Sequence, residues 1–245
     1  MAYGAGWRAK QSRDASPYVG RGSERYSEEV EKSGRDLIAG YIAAVAALML
    51  FGWLARDVLR HQSIRFDAVV RDAVHSLASP GLTTFFSTVT WLGSELFLVP
   101  FGALVVWRLA AAGRKHAAAL LVLAAAGGEL LDQILKLAFH RARPASFFGY
   151  PLPETYSFPS GHSMVSICFF GVLAAVLTAR MASRARRAAV WAAAVAVVLM
   201  IGVSRIYLGV HYPSDVAAGY CAAIIWVAAV RAGYIVWLRR RAGQA

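Results

Sequence analysis

Six apolar runs, each about the length that crosses a bilayer, constrain this chain more than any other feature. They cover roughly residues 37–55, 82–107, 116–138, 163–179, 188–203 and 214–238. The apolar residues come in blocks rather than amphipathic stripes, the pattern of helices that face lipid. Only 16% of the residues are charged, against about a quarter in a soluble globule. The expected fold is an all-α integral membrane protein with six transmembrane helices.

The polar stretches divide the chain further. Residues 1–35 mix Gly, Ser and both charge signs and lack the apolar core of a signal peptide, so a disordered tail is expected there. Within it, S-E-E-V-E-K suggests a short amphipathic helix leading into the membrane. A six-helix membrane domain is expected over 36–240 and a basic end over 241–245. Residues 56–79 carry apolar positions every three or four residues, which predicts an amphipathic helix along the surface with His61 and His75 as interfacial side chains. Pro100 predicts a kink in the second span. Glu95, near the middle of that span, has no evident partner and is expected neutral or paired inside the bundle. Glu129, Asp132 and Lys136 lie in the third span, where charge is costly. Asp132 and Lys136 are four residues apart on one helical face, which predicts an ion pair.

The basic clusters give an orientation without any motif. They sit at Lys32 and Arg35, between Arg108 and Lys115, between Arg180 and Arg187, and at Arg239–Arg241. With six spans all four fall on one side, which the positive-inside rule makes cytoplasmic. The expected location is the inner (plasma) membrane, with both termini cytoplasmic and the remaining loops on the extracytoplasmic face. The net charge of +12 is accounted for by this anchoring, so nucleic acid is excluded as a partner. Cys168 and Cys221 fall inside apolar runs, and no metal-ligand spacing accompanies them. Neither a disulfide framework, a metal nor a cofactor is expected, and the oligomeric state is not readable.

Three fragments on the extracytoplasmic side carry the chemistry. Lys136 and Arg143-Pro144 form K-x6-R-P, Pro159 to His162 read P-S-G-H, and Ser204 to Asp215 read S-R-x5-H-x3-D. Lys136, Arg143 and Arg205 are cations suited to a phosphoryl group. Ser160 and Gly161 precede an apolar helix whose start favours an anion, and Gly161 permits close backbone approach. Asp215 is in reach of the His211 ring and would fix its tautomer, leaving a neutral imidazole as nucleophile towards phosphorus. His162 would protonate the leaving oxygen and then activate water. Singly, each residue reads as an interfacial side chain reaching for headgroups; the ordered set is far more specific.

The three fragments resemble the signature of the type 2 phosphatidic acid phosphatase family, the lipid phosphate phosphatases, at every defining position. The resemblance covers about residues 36–240 and leaves the tail out. It implies a helical membrane enzyme that removes phosphate from lipid phosphates or pyrophosphates without a metal, through a phosphohistidine. By resemblance His211 is the nucleophile, Asp215 its partner and His162 the acid and base, while Lys136, Arg143, Ser160, Gly161 and Arg205 bind phosphate. The implied partners are the bilayer and a lipid phosphate: undecaprenyl pyrophosphate, phosphatidic acid, phosphatidylglycerol phosphate or lipid A phosphates. The loop over 139–159 adds Glu154 and several aromatics as headgroup contacts or plain loop residues. Vanadium haloperoxidases share the pocket but are soluble, against six apolar spans. A phosphotransferase acting between lipids, and a lipid-binding or transport protein with a silent site, are the other readings.

Overall fold

The computed structural model describes residues 17–60 and 64–242. His61 and residues 1–16 lie outside them. The chain divides into a short unit, Met1–Ile42, and a main unit, Ala43–Ala245. Helix α1 (Pro17–Leu59) begins in the first unit, so residues 17–35 of the expected tail are helical.

The main unit continues with α2 (Ile64–His75), α3 (Pro80–Trp91), α4 (Glu95–Ala111) and α5 (Lys115–Phe139). After the 140–160 loop come α6 (Gly161–Ser166), a π-helical turn (Ile167–Gly171) and α7 (Val172–Thr178), which together form one apolar span, Gly161–Thr178. Two long helices, α8 (Arg184–Tyr207) and α9 (Pro213–Ala242), close the chain. No strand is present among the described residues. Among the described residues, five helices or helix runs are long and apolar enough to cross a membrane, and α3 with α4 makes a sixth candidate span bent by 46°.

That bend corrects the expected kink at Pro100. Pro100 sits inside α4, whereas the chain breaks at residues 92–94. Ser94 is extended, with φ −83° and ψ 152°, and Glu95 occupies the first turn of α4, an arrangement that starts a helix afresh. Glu95 therefore lies at the bend in the middle of this candidate span, but as an exposed residue at a helix start rather than inside the bundle. The other starts have equally local causes. Ser79 accepts a hydrogen bond from the Leu82 amide and Pro80 holds the first helical position of α3. Ser183 does the same for α8 through the Arg186 amide.

Leu96, Val99, Trp107, Leu130 and Leu137 are exposed on the helix surfaces, as lipid-facing side chains should be. The fully buried set contains, beside apolar side chains such as Phe158, Met164 and Ile201, the polar residues Asp67, Asp132, Ser157, Ser160, Ser163, Ser204 and Asp215. An apolar core of Leu98, Leu109, Leu121 and Phe169 closes the half of the bundle away from these groups. At that end Arg114 donates to the Val176 carbonyl at 2.7 Å, and the His116 ring lies 5.2 Å from Trp237. These contacts join the basic junctions and the end of α9. The 140–160 loop and the 208–212 turn lie at the opposite helix ends.

Candidate active site

Lys136 sits one turn after Asp132 on α5, and both are buried. The Lys136 ammonium pairs with Oδ2 of Asp132, as their spacing predicts. Gly161 begins α6 directly against this pair. A Cβ at Gly161 would come 2.7 Å from Asp132 Oδ2 and 2.9 Å from Lys136 Nζ, so only glycine fits there without a shift.

Arg205 enters from the last turn of α8 and is only 2% exposed. Its Nη1 donates to Thr90 Oγ1 at 2.7 Å, and its Nε–H has no protein acceptor. A buried guanidinium with a spare donor is ready-made for an oxyanion. Arg143 comes from the loop and is held by the Thr155 carbonyl at 2.7 Å and the Thr155 hydroxyl at 2.9 Å. Its Nη1 also donates to His211 Nε2 at 3.0 Å. Because a guanidinium only donates, Nε2 must accept, which places the ring proton on Nδ1.

His211 is 1% exposed. Burial first, then the Arg143, Arg205 and Lys136 cations, push its imidazole well below the ordinary histidine value, so it is neutral near pH 7. Its Nδ1 faces Asp215 Oδ2 at 3.4 Å, with Ser157 Oγ also 3.4 Å from that nitrogen. Ser157 Oγ donates to the same carboxylate oxygen at 2.5 Å, and the Tyr212 amide donates to it at 2.9 Å. Asp215 thus reaches the ring as its spacing predicts, with a serine beside the contact.

One cavity of ≈ 800 Å³ brings Lys136, Arg143, Gly161, His162, Arg205 and His211 together. Ser160 and Asp215 do not line it; both are fully buried behind it. The Ser160 amide, expected to face an anion, donates instead to the Asp215 carbonyl at 3.0 Å and joins two of the sequence fragments. Away from the cations the cavity runs between α4 and α5, along Val99, Ala103, Val106, Leu121, Val122 and Ala125. Glu95 and Glu129 border it, and Glu129 accepts from Gln133 Nε2 at 2.6 Å. Glu154 is exposed on the loop and is not part of the lining.

Three further residues escaped the sequence reading. Ser157 is a buried loop serine, Arg141 lies two residues before Arg143, and Asp67 belongs to α2. Arg141 Nη1 donates to Asp215 Oδ1 at 2.5 Å and its Nη2 to Asp67 Oδ2 at 2.6 Å. Burial alone would lower the Arg141 guanidinium, but Asp215 and Asp67 outweigh it and hold it above its ordinary value. The available signal was the spacing Asp67, Arg71, His75, a polar stripe at i, i+4, i+8 on one face of α2. His75 stacks on Phe147 of the loop at 3.9 Å, so it is a packing residue rather than a free interfacial one.

Such a cavity can hold a multiply charged oxyanion at one end and a hydrocarbon chain along the other. Comparisons with known proteins agree with this chemistry. The sequence profile of the PAP2 superfamily matches residues 117–239. Phosphatidylglycerophosphatase B of Bacillus subtilis is 28% identical over 177 residues, covering 72% of this chain and 87% of that protein. Lipid A 1-phosphatase of Rhizobium johnstonii is 32% identical over 155 residues, covering 56% of this chain and 59% of its own length. A crystal structure of a transmembrane PAP2-type phosphatidylglycerolphosphate phosphatase from Bacillus subtilis is similar with a TM-score of 0.71 at 26% identity. That match covers 77% of this chain and 94% of the other.

Proposed function

The chain belongs to the PAP2 superfamily and is a membrane lipid phosphatase, and on that premise we propose that it works through His211 without a metal. The Nε2 lone pair of His211 attacks the terminal phosphorus, forming an N–P bond as the bond from that phosphorus to the ester oxygen of a monophosphate, or to the bridging oxygen of a pyrophosphate, breaks. His162 gives that oxygen a proton. It then takes one from a water that cleaves the phosphohistidine and releases phosphate. Lys136, Arg143 and Arg205 neutralise charge on the phosphoryl oxygens, the greater part of catalysis in such transfers. Asp215 keeps the His211 ring in the tautomer with its lone pair on Nε2, where the phosphoryl group would take the place of the Arg143 donor. Gly161 shapes the wall of the cradle, and Ser160 braces it from behind through its amide bond to the Asp215 carbonyl. The observation that carries this reading is the opening of His211 onto a cavity also lined by His162 and three cations.

The apolar arm between α4 and α5 would take the hydrocarbon chain. Basic helix junctions at the other end of the bundle support an active site on the extracytoplasmic face of the plasma membrane. Among lipid phosphates, an isoprenyl pyrophosphate or phosphatidic acid is favoured, with phosphatidylglycerol phosphate and lipid A phosphates next.

Phosphate release by the purified protein in detergent micelles, with EDTA present, tests the reading on undecaprenyl pyrophosphate and phosphatidic acid. Wild-type protein releases phosphate, and His211→Ala lowers turnover by about a thousandfold or more. Equal activity in the Ala variant overturns the assignment of the nucleophile. Consumption of substrate without free phosphate would point to a transferase.

A further inference from the structure

Asp67 comes from α2, outside the residues 117–239 that the family profile matches, yet it is fully buried and tied to the heart of the site. Its Oδ1 accepts the Ser214 amide at 2.9 Å, and its Oδ2 accepts the Ser214 hydroxyl and Arg141 Nη2, each at 2.6 Å. Arg141 Nη1 reaches on to Ser214 Oγ at 2.7 Å and Asp215 Oδ1 at 2.5 Å. One guanidinium is therefore shared by two buried carboxylates, and the Tyr212 ring covers it at 4.1 Å from Cζ to the ring centre.

We propose that Asp67 is a positioning residue for the reaction, acting through Arg141 on Asp215 and so on His211; this rests on the reading of Asp215 and His211 given above. Two effects follow from the geometry. The fork of Arg141 is held at both ends, so it fixes the Asp215 carboxylate with Oδ2 towards His211 Nδ1. Sharing also leaves the trio with one negative charge in excess. Asp215 therefore stays a strong acceptor as the imidazole takes on positive charge in the phosphohistidine. Asp67 touches neither substrate nor ring.

A plainer role is also visible, since Asp67 accepts the Ser214 amide and so caps the start of α9. Asparagine caps a helix as well as aspartate does. Asp67→Asn therefore keeps the cap and removes the shared charge.

The test measures phosphate release by Asp67→Asn, Asp215→Asn and the double variant in full-length protein in micelles. Asp67→Asn is expected to lower kcat about ten- to a hundredfold, the usual range for a residue acting through another. KM should stay within about twofold and the thermal midpoint near wild type. In the Asp215→Asn background it should add nothing, because the residues act as a unit. Wild-type kcat in Asp67→Asn, or the same fold loss in both backgrounds, overturns the proposal. If Asp215→Asn alone keeps wild-type kcat, the reading of Asp215 falls and this proposal with it. Should Asp67→Asn not fold, Arg141→Lys replaces it in both backgrounds, since an ammonium keeps the charge but cannot fork. A loss confined to the Asp215 background supports the proposal, and an additive loss overturns it.

Discussion

Two buried ion clusters serve the same cavity, and they leave over charges of opposite sign. In the first, Asp132 balances Lys136, and Arg143 and Arg205 stand beside it on the cavity wall. Cations are in excess where a phosphoryl group would sit. In the second, Asp67 and Asp215 share Arg141 behind His211, and a carboxylate is in excess. The choice of cation matches the task. Lys136 is a compact charge one turn from its partner, while Arg141 needs a planar fork to span two carboxylates. On the proposed mechanism, a charged substrate and a charging His211 thus face complementary fields.

Breaking the first cluster should have the largest effect. Lys136→Met strands Asp132 in the interior, which costs about 3–5 kcal/mol of stability. It also removes a transition-state cation, lowering kcat by about a hundredfold or more. Adding Asp132→Leu should restore most of the thermal midpoint and none of the activity. Recovery of both would show that Lys136 acts only as a partner for Asp132.

Gly161→Ala probes the same cluster more gently. The new methyl must displace the Asp132–Lys136 pair, and overpacking of that kind costs about 1–3 kcal/mol. Roughly tenfold lower kcat/KM is expected. Unchanged kinetics would show that the pair can shift without affecting phosphate binding.

The smallest effect concerns pH and reads the field at His211. Its imidazole is held well below the ordinary histidine value, so kcat/KM should not fall as pH drops through about 6.5. Stability behaves differently. The unfolded chain binds the proton first, so the contribution of His211 is complete above about pH 6.5. It declines as pH falls towards the folded value, by at most about 1.4 kcal/mol per unit. A fall in kcat/KM as pH drops through about 6.5 would show that burial and the surrounding cations do not hold the ring neutral.

Much of this was legible in the residues. The spans follow from runs of apolar side chains, a signal that lipid makes strong because nothing else can cross it. Lys136, Arg143, His162, Arg205 and His211 stand out because charge beside apolar helices needs a reason. The bend was misplaced because Pro100 is the louder symbol. Gly93 and the Ser94–Glu95 helix start decide it, since packing at Gly93 lies against Ile201 and His162. Asp67 looked like one more charge on a surface helix. Its partners are 74 and 147 residues away, at Arg141 and Ser214, and no local pattern reports a contact at that distance.

The apolar exterior of the helices has a last consequence. Lipid tails are as apolar as the helix exteriors, so side chains such as Leu96 and Trp107 cannot tell a neighbouring helix from solvent. Besides close packing, polar groups that hydrocarbon rejects then help select one arrangement of helices, and among the described residues Asp132, Lys136, Arg205 and His211 of this kind line the cavity. In most soluble enzymes a buried charged site is a burden that the rest of the core offsets. On the proposed mechanism the same buried polar groups would serve both the reaction and the packing of the helices, so a change made for one bears on the other.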